Sequence, residues 1–175
     1  MRFTVVGGAG AMGKITVTDL VKTSSKNDEI WVADYDLGKA SALALSFKDP
    51  RVKAVQCNLK DRDFSVKALA GSGVLINCAQ YQMNLEAMEI ALGVGAHYTD
   101  LGGLFHYTRR QLELDSKFKA KGKIAVIGMG AAPGITNILA KLAADELDVV
   151  TEIHCRVGGM DKTKYEFESP LAVAY

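Results

Sequence analysis

Short apolar or β-branched runs at residues 3–6, 29–33, 54–57, 74–78, 97–101 and 124–127 alternate with longer stretches whose apolar residues recur at helical spacing. The pattern predicts a repeated βαβ unit. In the first long stretch Gly13, Val17, Leu20 and Val21 fall at i, i+4, i+7 and i+8. That spacing gives a helix one apolar face, with the glycine where helix and sheet come closest. Ile135, Ile138, Leu139 and Leu142 draw a similar stripe after Pro133-Gly134, a pair that reads as a helix opening. Parallel strands need right-handed crossovers, so the predicted fold class is α/β, a doubly wound parallel sheet with helices on both faces.

The period changes near Val149. Residues 150–157 (VTEIHCRV) alternate apolar and polar positions and are followed by Gly158-Gly159, which predicts a half-exposed strand of a different sheet. The tail that follows carries no stop signal and ends on Leu171-Ala172-Val173-Ala174-Tyr175. The expected organisation is a nucleotide-binding domain over residues 1–149 and the start of a second, α+β domain over residues 150–175, cut within it.

Composition narrows the function classes. The 175 residues are 49% hydrophobic and 23% charged, with a formal net charge of +1, which is globular and gives no electrostatic support for nucleic-acid binding. No apolar run approaches the roughly 18 residues of a membrane span, and Met1-Arg2-Phe3 opens directly into strand-like sequence. A soluble cytoplasmic protein with no membrane partner is expected. Cys57, Cys78 and Cys155 are odd in number and lack metal-ligand spacing, so neither a disulfide framework nor a metal site is expected.

Gly8-Ala9-Gly10-Ala11-Met12-Gly13 is GxGxxG placed directly after a strand and opening a helix. In this Rossmann context Gly8 permits the tight turn, Gly10 lets a pyrophosphate approach the backbone, and Gly13 permits close helix packing. Ala11 and Met12 open the helix whose amides and dipole favour an anion. Asp34 ends the second strand 21 residues past Gly13, where a carboxylate accepts hydrogen bonds from ribose hydroxyls and repels a 2′-phosphate. No arginine follows; Tyr35-Asp36 does, so NAD is favoured over NADP. The competing role for Asp34 is capping the next helix. By topology, Asn58 and Leu59 at the end of the third strand would lie beside adenine, and Asn77, Cys78 and Ala79 at the end of the fourth near the nicotinamide ribose. Cys78 reads as a small core thiol rather than a nucleophile. Gly7, Gly10 and Gly13 also fit the GxxGxxG of short-chain dehydrogenases, but the Tyr and Lys four residues apart that such chemistry uses occur only as Tyr35 and Lys39, at the wrong end of the cofactor.

The segments Cys78 to Asn84, Gly95 to Gly103 and Gly128 to Asn137, in that order, resemble the saccharopine dehydrogenase family. Gly10-Ala11-Met12-Gly13-Lys14, Asp34-Tyr35-Asp36-Leu37, the doubled Gly102-Gly103 and Ala132-Pro133-Gly134 are most similar to its NAD-dependent lysine 6-dehydrogenase branch. Ala132 stands where many saccharopine and carboxyspermidine relatives carry an aspartate. The resemblance implies an oxidoreductase acting on the amine of an amino acid, lysine or a lysine-derived secondary amine, by hydride transfer through an imine. It also implies a homodimer at full length, with a substrate domain inserted after the last strand. A chain ending early in that insertion is expected to bind NAD with hydride transfer severely impaired. The alternatives are an NAD-binding sensor without turnover and a polyamine-precursor, carboxyspermidine-type dehydrogenase.

An amine must be neutral to surrender a hydride, so a proton acceptor is needed. Asp100, at the end of the fifth strand, is placed to bind a substrate ammonium or to cap the Leu101-Gly102-Gly103 turn. Tyr81 is placed to stack on nicotinamide or to pack on the next helix. His106 is a weaker acid/base candidate, while His97 and His154 read as structural. Thr136 and Asn137 open the last helix and either hold a carboxylate or complete its cap.

Overall fold

The computed structural model describes residues 1–158. Six strands, β1 (Arg2–Val6), β2 (Glu29–Asp34), β3 (Val52–Gln56), β4 (Val74–Asn77), β5 (His97–Asp100) and β6 (Ala125–Val126), pair in parallel in the order β3-β2-β1-β4-β5-β6. All six match expected runs, the last shortened to two residues. Between them lie α1 (Ala11–Thr23), α2 (Leu37–Ser46), α3 (Arg62–Ala68), a 3₁₀ turn over Tyr81–Met83 running into α4 (Asn84–Val94), then α5 (Phe105–Leu112) and α6 (Asp115–Ala120); α7 (Ile135–Asp145) follows β6. None of the described helices is long and apolar enough to cross a membrane.

Period-two alternation sends successive strand residues to opposite faces. Val5, Ile30, Val32 and Val52 pack with Val17 of α1 and with Ala40 and Ala44 of α2. On the other face Val6, Ala33, Leu75 and Tyr98 pack with Leu69, with Met88, Ile90 and Ala91 of α4, and with Phe118 of α6. The two cores are the doubly wound arrangement read from the sequence. Gly13 and Val17 are buried on α1, as its stripe predicts.

Two segments depart from expectation. The apolar stripe of α7 is exposed, with Ile135, Ile138, Leu139 and Leu142 between 52% and 59% accessible, because among the described residues no sheet face lies beneath it. Residues 150–157 form no strand and are exposed; an alternating segment needs a neighbouring strand to take its amides and carbonyls, and among the described residues none is beside it. The rest of the expected second domain lies outside the described residues.

Beneath the carboxyl ends of β4 and β5 sits a buried polar cluster. The Tyr98 hydroxyl lies 3.0 Å from Asp100 Oδ2 and 3.3 Å from the Asn84 carbonyl oxygen, its one proton serving these two acceptors. Asn77 Nδ2 donates to Asn84 Oδ1 at 2.9 Å. Burial, and then the negative charge of Asp100, hold the Tyr98 hydroxyl well above the usual tyrosine range. A group whose pKa is raised by folding contributes stability that is complete below the unfolded value, about 10, and is lost as pH rises above it. Urea unfolding from about pH 8 to about pH 11 should therefore show a steeper alkaline loss in the wild type than in Tyr98→Phe; equal slopes would exclude this origin.

Candidate functional site

The register aligns Val6 with Ala33 and with Asn77, Asp34 with Gln56, and Asn77 with Asp100, so the strand ends share one edge of the sheet. β1 stands between β2 and β4, where the strand order reverses, and it is there that open parallel sheets bind their ligands. The loop from β1 to α1 occupies this point.

Its glycines differ in what surrounds them. A Cβ on Gly13 would fall 2.2 Å from the Gly7 carbonyl oxygen and 2.5 Å from Gly8 Cα, and one on Gly8 would fall 2.7 Å from the Val5 carbonyl oxygen. Both are needed for packing. Gly10 is exposed, and a Cβ there would meet only the Gly7 carbonyl oxygen, at a tight 3.2 Å, so packing asks for a small shift here where Gly8 and Gly13 would need a large one. What its missing side chain leaves clear is the space in front of the α1 N-terminus. No side chain caps α1 and its first turn holds no acidic residue, so the amides of Ala11, Met12 and Gly13 stay open as donors. This geometry fits a pyrophosphate.

Asp34 Oδ2 accepts from Ala9 N at 3.0 Å and Oδ1 from Asp36 N at 3.1 Å, which fixes the carboxylate between the two loops. It does not cap α2. Asp36 does, accepting from Lys39 N at 3.0 Å, and that amide holds the Asp36 carboxyl below its usual range. Each Asp34 oxygen keeps a further lone pair for a ligand. Asp34, Tyr35, Asn58, Leu59 and Ala79 line one cleft of about 560 Å³, as their positions after the strands predict. Lys60, Gln80 and Met83 line it too. Sequence reasoning missed these three, although each lies within a few residues of a strand end it had placed.

Asn77 and Cys78 do not reach the cleft with their side chains. Asn77 is buried in the polar cluster, and its Oδ1 accepts from Ala79 N at 3.2 Å, so it acts through the backbone of the residue that does line the cleft. The Cys78 thiol turns toward α1, within 3.4 Å of Thr16 Oγ1, and burial pushes its pKa up. It has the character of a core thiol.

Of the candidates for the reacting end, Asp100 is the most constrained. Its Oδ1 accepts from Gly102 N at 2.9 Å and Gly128 N at 2.8 Å, and its Oδ2 from Gln111 Nε2 at 2.6 Å and the Tyr98 hydroxyl. It is 1% exposed. The geometry gives the turn-capping role and leaves no lone pair for a substrate ammonium, a correction to the binding role. Tyr81 is half-buried, edge-on to Tyr107 at 5.2 Å and pressed on Gly103, the packing arrangement. His106 is exposed on α5, beside Tyr107. His97 Nδ1 accepts from Ile124 N at 3.1 Å at the opposite rim, and His154 lies beside Glu152. Asn137 Oδ1 accepts from Gly134 N at 3.1 Å and so caps α7. Among the described residues no three His, Cys, Asp or Glu side chains gather as a metal site.

Residues 3–126 match the family model of the saccharopine dehydrogenase NADP binding domain. The chain belongs to the saccharopine dehydrogenase family. Over 171 residues it is 26% identical to carboxyaminopropylagmatine dehydrogenase of Synechocystis sp., covering 90% of this chain and 42% of that protein. Apo saccharopine dehydrogenase (L-Glu forming) from Saccharomyces cerevisiae superposes with a TM-score of 0.71 at 21% identity, over 83% of this chain and 31% of that one. Triphenylmethane reductase of Citrobacter sp. matches at 0.56 and 16% identity, over 73% of this chain and 48% of that one. At these identities the structural likeness concerns the fold. This member of the saccharopine dehydrogenase family thus spans less than half the length of each of these three proteins.

Gly10→Val should abolish binding of a nicotinamide dinucleotide while leaving the circular dichroism spectrum intact, whereas Gly13→Val should unfold the protein; unchanged affinity in Gly10→Val would remove the pyrophosphate turn. Cys155 is exposed, while Cys57 and Cys78 are covered and held protonated by burial. Alkylation at neutral pH should label one thiol in the native protein and three after unfolding, counted by mass spectrometry.

Proposed function

We propose that this chain is the cofactor domain of an NAD-dependent oxidoreductase acting on the amine of an amino acid, with lysine or a lysine-derived secondary amine as the substrate class. The observation that carries the cofactor reading is the Asp34 carboxylate. It lines the cleft beside GxGxxG and is held there by Ala9 N and Asp36 N. Two ribose hydroxyls are donors that such a carboxylate pairs with, and a 2′-phosphate is an anion that it repels. The family description names NADP, and a conserved fold accommodates either cofactor through this one end.

In this reading Gly10 and the first-turn amides of α1 hold the pyrophosphate, Asp34 the adenosine ribose, and Asn58 and Leu59 the adenine. Bound there, the cofactor supplies hydride exchange at C4 of its nicotinamide. Asn77 orients Ala79, and Asp100 keeps the two glycine loops after β5 and β6 in place without touching substrate. His106 and Tyr81 are the groups of this chain nearest in role to a proton acceptor, the one exposed and the other edge-packed. A second reading, a polyamine-precursor amine as substrate, is favoured by the likeness to carboxyaminopropylagmatine dehydrogenase.

Calorimetry should show tighter binding of NADH than of NADPH, and Asp34→Ser should weaken NADH binding by about 1–3 kcal/mol, the range for a removed partner of a buried or ligand-facing polar group. Equal or stronger NADPH binding by the unmodified protein would overturn the NAD assignment. The full-length gene product, assayed for NADH formation with NAD and a panel that includes lysine and carboxyaminopropylated amines, decides between the two substrate readings.

A further inference from the structure

The adenosine end of the cleft contains a positive charge as well as a negative one. Lys60 lines the same cleft as Asp34 and Tyr35. It sits on the turn between β3 and α3, and the turn is held in one shape. Ser65 Oγ lies 3.0 Å from Asn58 N and donates to the Asn58 carbonyl oxygen at 2.8 Å, while Lys60 N donates to Asn58 Oδ1 at 3.1 Å. Ser65 itself is fully buried. The base of the Lys60 side chain is therefore fixed although its end is exposed.

The neighbouring charges are already engaged. Lys39 pairs with Asp36 at 3.5 Å, and Arg62 with Asp63 at 3.8 Å. Asp61 Oδ1 accepts from Phe64 N at 3.0 Å as the cap of α3. Lys53 pairs with Glu29, at the other end of the strands. Among the described residues Lys60 Nζ has no ion pair and no hydrogen bond, and it is the cation of this cleft.

We infer that Lys60 is a second selectivity residue, one that recognises the 2′-phosphate of NADP and opposes Asp34. The inference rests on the dinucleotide site proposed above and adds a group that would favour the phosphorylated cofactor there. Lysine binds phosphate as a compact point charge on a flexible stem, so it needs no fork geometry to reach an anion at a cleft wall. A 2′-phosphate adds close to two negative charges at the adenosine ribose, whereas NAD presents only hydroxyls there. Lys60 therefore favours NADPH by more than it favours NADH. Asp34 works in the other sense, and the expected preference is the difference between them.

The test is a calorimetric cycle with NADH and NADPH on the wild type, Lys60→Ala, Lys60→Arg, Asp34→Ser and the Asp34→Ser/Lys60→Ala double variant. Circular dichroism checks that each is folded, and Lys60 is exposed enough that its truncation should not disturb the fold. Lys60→Ala should lose about five- to tenfold in NADPH affinity, the order for one exposed charge-assisted contact, with NADH affinity changed less than about twofold. Lys60→Arg should retain NADPH binding. Asp34→Ser should gain NADPH affinity, and the double variant should lose that gain. Equal changes for both cofactors in Lys60→Ala, or a double variant that keeps the gain, would overturn the role of Lys60. A wild type that prefers NADPH while Lys60→Ala still loses it selectively would sink the NAD reading and leave the Lys60 inference standing. A wild type that binds neither cofactor would overturn both.

Discussion

The close seating of α1 on the turn after β1 is the constraint on which the site depends. A side chain at Gly13 would have to share space with the Gly7 carbonyl oxygen and with Gly8 Cα, so the helix reaches its place only because nothing projects there. From that contact follow the burial of Val17 against β1 and β2 and the presentation of the first-turn amides at the carboxyl edge of the sheet. The same seating brings Ala9 N onto Asp34, which couples the glycine turn to the cleft-lining carboxylate. Pre-organisation of this kind keeps the ordering cost out of the binding step.

A second buried unit fixes the opposite half of the edge. Gly102 and Gly128 both have positive φ, at 95° and 76°, and both turn their amides inward, where an unpaired N–H would carry a desolvation cost of about 1–3 kcal/mol. One carboxylate, Asp100, takes both amides, together with Gln111 and Tyr98. Asp34 and Asp100 thus end neighbouring halves of the same sheet with opposite assignments. Asp34 accepts two backbone donors and faces an open cleft; Asp100 accepts four donors and is sealed. The difference lies in the loops that follow, since the turn after β2 places its own cap, Asp36, on α2 and leaves Asp34 to the cleft.

That difference marks how far the sequence could be read. The parallel doubly wound sheet, its six strands and the close seating of Gly13 were legible, because period-two and helical spacing and a spaced glycine motif each have one structural solution here, whereas the left-handed turn falls on Gly7 and Gly8 is required by packing against Val5. The positions of Asn58, Leu59 and Ala79 followed from topology alone. The inward turn of Asn77 was not legible, because a polar residue at a strand end serves a ligand or a loop amide equally well until the loop is seen. Residues 150–157 show the limit of pattern in another way. Alternation specifies which side of a strand is apolar, yet a strand also needs a partner, and a partner is not written in the segment itself. The exposed stripe of α7 has the same origin.

The polar groups of the chain are divided unevenly along the cleft, and the division has a chemical meaning. At one end, Asp34, Asn58 and Lys60 line the cleft from turns held by hydrogen bonds. At the other half, Asn77 and Asp100 are consumed by the fold, Cys78 is a covered thiol kept protonated, and Tyr81 is wedged between Gly103 and Tyr107. Open polar groups are thus concentrated at one end of the cleft, whereas those at the other end are engaged by the fold. The contrast follows from the loops, because the turns after β2 and β3 hold their own polar groups open to the cleft while those after β4 and β5 turn theirs inward.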